Sequence, residues 1–153
     1  MPIAIKSEKL RISSEKKTEE LAEKFTKKLK PGHVVFIYGE IGVGKTTFVR
    51  YLINQFQKIN KSNVTEVLSP TFNLLNEYEI GQVIIRHYDL FRLKKKDEIK
   101  NLDIFDDVSK NITLIEWPQL INQRPKNLVE LSFEYGKEDK DRLVKIIGLE
   151  IKI

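Results

Sequence analysis

The sequence has no cysteine among its 153 residues, and only one methionine and one tryptophan. Without thiols, disulfides, thiolate zinc sites and cysteine nucleophiles are excluded, and the chain suits a reducing compartment. Long apolar runs are missing as well. Nowhere do about 18 consecutive apolar residues occur, so no transmembrane helix is expected. Met1 to Lys6 runs into charged sequence without the apolar stretch of a signal peptide. These absences predict a soluble, cytoplasmic protein with no membrane partner. Internal repeats and low-complexity linkers are lacking too, and the length fits a single domain, residues 1–153, with apolar content sufficient for a core.

Charge of one sign is only mildly in excess. The net value is +5, from 27 Lys+Arg against 22 Asp+Glu. The lysines at 27–28, 94–96 and 137–140 are mixed with acids or fall in expected loops. They read first as solvated surface, with contact to RNA or an acidic partner as the alternative. A basic composition alone does not make a nucleic-acid binder.

What is present is an ordered alternation of elements. Residues 3–12 read as a short strand, and Ser13 or Ser14 as the N-cap of a helix whose Leu21, Phe25 and Leu29 share one face until Pro31-Gly32 ends it. Val34 to Tyr38 is a continuous apolar run, the pattern of a strand buried on both faces. Phe48, Leu52 and Phe56 then recur at helical spacing to about Phe56, and 57–66 read as polar loop. Thr71 to Glu79 and Val83 to Tyr88 look like strands joined around Gly81. Lys94 to Leu102 is a weak helix candidate, and Ile112 to Ile115 a short buried strand. Val129 to Tyr135 alternates apolar with polar residues. After the turn Gly136–Asp141, Leu143 to Ile151 returns as the second arm of a hairpin. With strands outnumbering helices in the second half, a mixed parallel/antiparallel sheet in an α/β, three-layer fold is predicted.

Between the buried strand and the second helix lies Gly39-Glu40-Ile41-Gly42-Val43-Gly44-Lys45-Thr46, which satisfies the phosphate-binding P-loop spacing Gly-x4-Gly-Lys-Thr. Glycines let the backbone wrap closely around phosphate oxygens with successive N–H groups pointing inward. The helix N-terminus that follows favours anions. Lys45 supplies a full charge at the β/γ phosphates, and the Thr46 hydroxyl can enter a Mg²⁺ shell. A chance glycine-rich turn would satisfy the spacing as well. It would not predict a buried strand before it and an amphipathic helix after it. ATP or ADP with Mg²⁺ is the expected ligand.

Such a site also needs a carboxylate on the metal side, usually at the end of a neighbouring strand. Asp89, after Val83-Ile84-Ile85, and Glu116, after Ile112 to Ile115, both qualify, and spacing does not rank them. In Ser69-Pro70-Thr71-Phe72, Thr71 stands where a switch threonine would sense the γ-phosphate or its metal, although a plain Ser-Pro turn reads equally well. His33 reads as surface. His87 reads first as structural, with a proton carrier as the alternative, and Trp117 as packing, with a face toward a partner or nucleotide as the alternative.

Taken together, Gly39 to Thr47, Ser69-Pro70-Thr71-Phe72-Asn73-Leu74, His87-Tyr88-Asp89-Leu90-Phe91-Arg92-Leu93 and Ile115-Glu116-Trp117-Pro118 resemble the TsaE (formerly YjeE) family. These are the bacterial P-loop ATPases of tRNA threonylcarbamoyladenosine synthesis. The resemblance runs from the first helix to about Pro118. It implies an ATP-binding and hydrolysing subunit that works with TsaB and TsaD homologues, TsaD transferring the threonylcarbamoyl group to adenosine 37 of ANN-decoding tRNAs, with tRNA touched only indirectly or weakly. It further implies phosphate binding by Gly42, Gly44, Lys45, Thr46 and Thr47, metal-side roles for Thr46 and Glu116, and a Walker-B-like or catalytic role for Asp89. Thr71 falls on the switch position, and Arg142 is similar to a family arginine near the nucleotide. Glu40 and Val43 stand where the family usually has Asp and Ala, and Phe91 where Tyr is common, so no role of that hydroxyl carries over.

Two other enzyme classes compete. A GTPase needs an Asn-Lys-x-Asp base-reading motif, but the nearest string, Asn60-Lys61-Ser62-Asn63, ends in Asn, and no Asp-x-x-Gly occurs. A metabolite kinase closes an arginine-bearing lid, whereas Arg86, Arg92 and Arg124 are scattered. A third reading, in which ATP selects a partner-binding conformation and hydrolysis ends it, is compatible with the family. The expected division of labour is that Lys45 and the loop amides hold phosphate, Thr46 and an acid hold Mg²⁺, and Asp89 with Thr71 orders the attacking water.

Overall fold

β2 (Val34–Tyr38) is the strand around which the rest is arranged. In a computed structural model describing residues 7–151, it pairs in parallel with β5 (Asn111–Glu116) on one side and β6 (Leu128–Tyr135) on the other. β4 (Val83–Asp89) continues the parallel set beside β5. The flanks are antiparallel: β3 (Leu75–Ile80) on β4, and β7 (Arg142–Ile147) on β6, with β1 (Ser7–Ile12) on β7. The order is β1-β7-β6-β2-β5-β4-β3, the mixed sheet expected.

Strand alternation divides the core between two faces. Val35 and Ile37 of β2, Ile112 and Leu114 of β5, and Val129, Leu131 and Phe133 of β6 pack with the first two helices. Val34, Phe36, Tyr88 and Ile115 face the other way, toward Ile99 and Ile104. Helix α1 (Glu15–Thr26) starts at Ser14, whose Oγ accepts the Lys17 N–H at 3.3 Å; of the two serines considered as caps, Ser14 serves. Helix α2 (Lys45–Ile59) follows the P-loop. The two helices meet where the Phe25 and Phe48 rings stand edge to face, 5.3 Å apart.

Several boundaries differ from expectation, each for a visible reason. α1 stops at Thr26, before Pro31-Gly32, because Lys28 and Leu29 both send their N–H to the Phe25 carbonyl in a tightened last turn. α2 runs beyond Phe56 to Ile59, where the side chain and backbone of Asn60 both cap the Phe56 carbonyl. Residue 57 is therefore helical rather than loop, and Gln57 is buried, donating to Thr65 Oγ1 at 2.8 Å. β3 begins at Leu75 instead of Thr71, since Thr71–Leu74 forms a turn closed by Leu74 N–H on the Pro70 carbonyl. The weak helix shrinks to α3 (Lys96–Lys100), with Glu98 Oε1 accepting the N–H groups of Lys94 and Lys95. β7 ends at Ile147, well short of Ile151. Of the first expected strand, residues 3–6 lie outside the described residues. Among the described residues no helix is long and apolar enough to cross a membrane.

Candidate functional site

The parallel strands β2, β5 and β4 end on the same side, and their C-terminal ends carry the chemistry. β2 runs into the P-loop. β5 ends on Glu116 and β4 on Asp89, and these two are register partners, so the two carboxylates stand side by side. Both belong to the strand faces that look toward α2, because Glu116 alternates with Leu114 and Asp89 with Ile85.

The loop needs glycine for specific reasons. At Gly39 (φ +148°) a Cβ would lie 2.7 Å from Val43 Cγ1 and 3.0 Å from the Phe133 carbonyl oxygen. At Gly44 (φ +114°), the N-cap of α2, nothing lies within 4 Å of that position, so only the backbone conformation excludes other residues there. Val43 turns its side chain into the core and bonds its N–H to the Glu40 carbonyl. The N–H groups at the start of α2, from Lys45, Thr46 and Thr47, have no intrahelical acceptor. Glu40 and Ile41 extend their side chains to solvent.

Lys45 is buried. Its ammonium donates to the Gly39 carbonyl at 2.5 Å and lies 3.6 Å from the centroid of the Trp117 ring. Burial pushes this amine below the ordinary lysine value, and the nearby carboxylates of Glu116 and Asp89 oppose the shift. The Thr46 hydroxyl donates to Glu116 Oε1 at 3.0 Å. Asp89 is engaged separately: its Oδ2 accepts from Ser69 (3.1 Å) and Thr71 (3.0 Å), and its Oδ1 from the Phe91 N–H (3.0 Å). Lys45, Thr46, Ser69, Thr71, Asp89, Glu116 and Trp117 line one cavity of about 300 Å³.

Around Gly42 the loop borders a second cavity, about 540 Å³, lined by Ser14, Glu15, Gly44, Thr47 and Arg142 among others. Arg142 begins β7 and donates to the Val43 carbonyl at 3.2 Å, while Tyr135 at the end of β6 donates to the Ile41 carbonyl at 3.0 Å. The Arg142 guanidinium also lies 4.4 Å from the Tyr135 ring centroid. The C-terminal hairpin therefore grips the P-loop backbone at two carbonyls.

A nucleoside triphosphate with Mg²⁺ fits what is present. The loop offers free N–H groups and a buried cation. The donor set is hard oxygen, a hydroxyl and carboxylates, which suits Mg²⁺ bound through one or two carboxylates plus phosphate oxygens. Of the residues expected at the site, Lys45, Thr46, Thr71, Asp89 and Glu116 share the first cavity, Thr47 and Arg142 border the second, and the side chains of Glu40 and Ile41 are exposed. Three residues not singled out for the site also stand at it or against it. Ser69 shares the Asp89 oxygen with Thr71. His87, read as structural, is fully buried with Nε2 2.6 Å from Glu116 Oε2; its position two residues before Asp89, on the same strand face, was the available signal. Trp117, read as packing, lies under Lys45 because a left-handed backbone (φ +58°) follows Glu116, which no local pattern announces. His33, read as surface, is half-buried and accepts the Lys30 N–H on Nδ1.

Comparison with known proteins places the chain in a family and gives its fold a counterpart. The family described as "Threonylcarbamoyl adenosine biosynthesis protein TsaE" matches residues 12–144. A Rickettsia bellii protein named tRNA threonylcarbamoyladenosine biosynthesis protein TsaE is 40% identical over 84% of this chain and 88% of its own. The Aquifex aeolicus protein of the same name is 32% identical, covering 86% and 90%. In fold, the chain matches the crystal structure of Bacillus subtilis YdiB with a TM-score of 0.74 at 23% identity, over 97% of this chain and 90% of that one.

Proposed function

Since the chain belongs to the TsaE family of tRNA threonylcarbamoyladenosine biosynthesis proteins, we propose that it is the Mg²⁺-dependent ATPase subunit of that process, acting in the cytoplasm as one domain. The observation that carries the reading is the separation of two hydroxyl–carboxylate pairs in one cavity beside Lys45: Thr46 with Glu116, and Thr71 with Asp89.

In this reading Lys45 leaves the Gly39 carbonyl and the indole face to neutralise the β/γ phosphates, and the N–H groups of Gly44 to Thr47 hold the remaining oxygens. Thr46 and Glu116 would hold Mg²⁺, which would supply neutralising charge at the phosphates. Asp89 orients the attacking water and accepts its proton, and Thr71, already bonded to Asp89, fixes that carboxylate and closes the γ side. Ser69 holds the same oxygen. The nucleoside extends from the opposite end of the loop into the cavity beside Thr47 and Arg142, with Arg142 and Tyr135 keeping the loop in shape. Catalysis is positioning plus charge stabilisation.

TsaB and TsaD homologues are the proposed partners, with hydrolysis slow alone and faster in their presence, and no direct dependence on tRNA. The test is ATP turnover by wild type, Asp89→Ala and Glu116→Ala, with and without the TsaB–TsaD pair. Asp89→Ala should retain Mg²⁺-dependent nucleotide binding and lose turnover, whereas Glu116→Ala should lose the Mg²⁺ dependence itself. A fast wild-type rate indifferent to partners, or transfer of phosphate to a metabolite, would rule the reading out.

A further inference from the structure

His87 lies in β4 with no solvent exposure, and no step above employs it. Its Nε2 is 2.6 Å from Glu116 Oε2, while Glu116 Oε1 accepts the Thr46 hydroxyl at 3.0 Å. An ionised carboxylate only accepts, so the imidazole donates through Nε2. The other ring nitrogen, Nδ1, is buried and has no hydrogen-bond partner among the described residues. A histidine kept only for packing has no use for a bare buried nitrogen, which an apolar side chain would remove. Here one nitrogen is left unpaired while the other is aimed at a single oxygen.

The strand geometry gives that aim a direction. Ile85, His87 and Asp89 alternate onto one face of β4, and the register sets His87 against Leu114, one step deeper in the sheet than Glu116. His87 thus reaches Glu116 from the interior of the sheet, and Thr46 reaches it from the P-loop. One carboxylate oxygen is taken up by the sheet, and the other is turned toward the cavity.

We propose that His87 is a positioning residue for the divalent-cation side of the site: by holding Glu116 Oε2 it fixes the carboxylate with Oε1 facing Thr46 and the incoming Mg²⁺. The inference rests on the reading of Thr46 and Glu116 as the metal-side pair. Without the N–H donor, Oε2 becomes a buried acceptor with nothing to accept, and the carboxylate rotates toward whatever solvent it can reach. Loss of such an outer partner lowers metal affinity by about 10–100-fold.

The experiment uses the full chain and a non-hydrolysable ATP analogue, with binding followed by calorimetry in EDTA and across a Mg²⁺ titration. His87→Leu removes the donor and keeps the site apolar. His87→Gln keeps an N–H near the position of Nε2. The Leu variant should bind the analogue in EDTA as the wild type does, yet need about ten-fold or more Mg²⁺ to reach the tight state, and the Gln variant should recover the wild-type requirement. An unchanged Mg²⁺ requirement in the Leu variant overturns the inference, as does weakened binding in EDTA with the Mg²⁺ requirement intact. Should Leu prevent folding, His87→Asn, whose amide stops short of Glu116, replaces it. A higher Mg²⁺ requirement for Asn than for Gln then supports the inference, and equal requirements overturn it. If the wild type itself binds the analogue equally with and without Mg²⁺, the metal-side reading falls and takes this inference with it. A wild-type Mg²⁺ dependence with the same Mg²⁺ requirement in the Leu variant removes the inference alone.

Discussion

The Lys45 ammonium and the Trp117 ring are stacked cation on face, 3.6 Å from nitrogen to centroid. The ring quadrupole and the Gly39 carbonyl between them hold the Lys45 charge. Trp117 is the sole tryptophan of the chain, so the protein's indole emission comes from this site. Adding ADP or ATP should draw Lys45 off the ring and change that emission in a saturable way, and Lys45→Ala should remove the response. An emission spectrum unchanged while calorimetry shows nucleotide bound would mean that Lys45 keeps its place on the ring.

The buried charge of Lys45 should also cost stability when no nucleotide is added. Burial holds its pKa below 10.5, so between the folded and unfolded values the unfolded chain binds more protons, and stability rises with pH through that interval. The penalty is fully present below the folded value. Lys45→Met should therefore melt no lower than wild type at neutral pH, while nucleotide affinity drops by roughly 2 kcal/mol or more, the value of a charge-assisted hydrogen bond. Phosphate stabilises the charged amine, so wild-type affinity should weaken as pH rises into the alkaline range, starting below the ordinary lysine value. A variant that melts well below wild type, by thermal circular dichroism, contradicts this account.

Thr71→Val tests the other pair. The hydroxyl lies 3.0 Å from Asp89 Oδ2 and 2.7 Å from Ser69 Oγ, and among the described residues it makes no hydrogen bond to Thr46 or Glu116. Turnover should fall about a hundred-fold or more if Asp89 loses its orientation as base, with KM for ATP and the Mg²⁺ requirement little changed. Steady-state kinetics decide it: a rise in KM with kcat intact would put Thr71 in ground-state binding instead.

The two ends of the P-loop should respond differently to a methyl group. Gly39→Ala places a Cβ against Val43 and the Phe133 carbonyl as well as straining φ, whereas Gly44→Ala meets open space and only the backbone strain. The second should cost about 1 kcal/mol, and the first roughly 1–3 kcal/mol more from overpacking. Denaturant midpoints of the two variants give the comparison, and equal losses would show that the loop shifts freely at Gly39.

How much of this was legible beforehand depended on whether local sequence or distant packing decided the matter. β2 and the P-loop could be read because a five-residue apolar run, a glycine pattern and a helical face adjoin in sequence. The adjacency of Asp89 and Glu116 could be guessed at as two strand ends, but not their division: which hydroxyl each accepts is set by the β4–β5 register and by the turn at 71–74. That turn also displaced the start of β3, since Thr71 is drawn toward Asp89 instead of entering the ladder. The length of α2 was misread because polar Gln57 looked like loop, and only its buried bonds to Asn54 and Thr65 explain it. Trp117 depended on a left-handed residue with no glycine to mark it.

The hairpin grip on the P-loop has a consequence for the order of assembly during synthesis. Tyr135 and Arg142 hold the carbonyls of Ile41 and Val43, residues made about a hundred positions earlier, and among the described residues β1 pairs with β7 alone. While the ribosome is still making the middle of the chain, the loop has its glycines and lysine but not its frame, and the first strand has no neighbour. Nucleotide recognition thus waits on β6 and β7, and a nascent chain that has not yet added them cannot present this site.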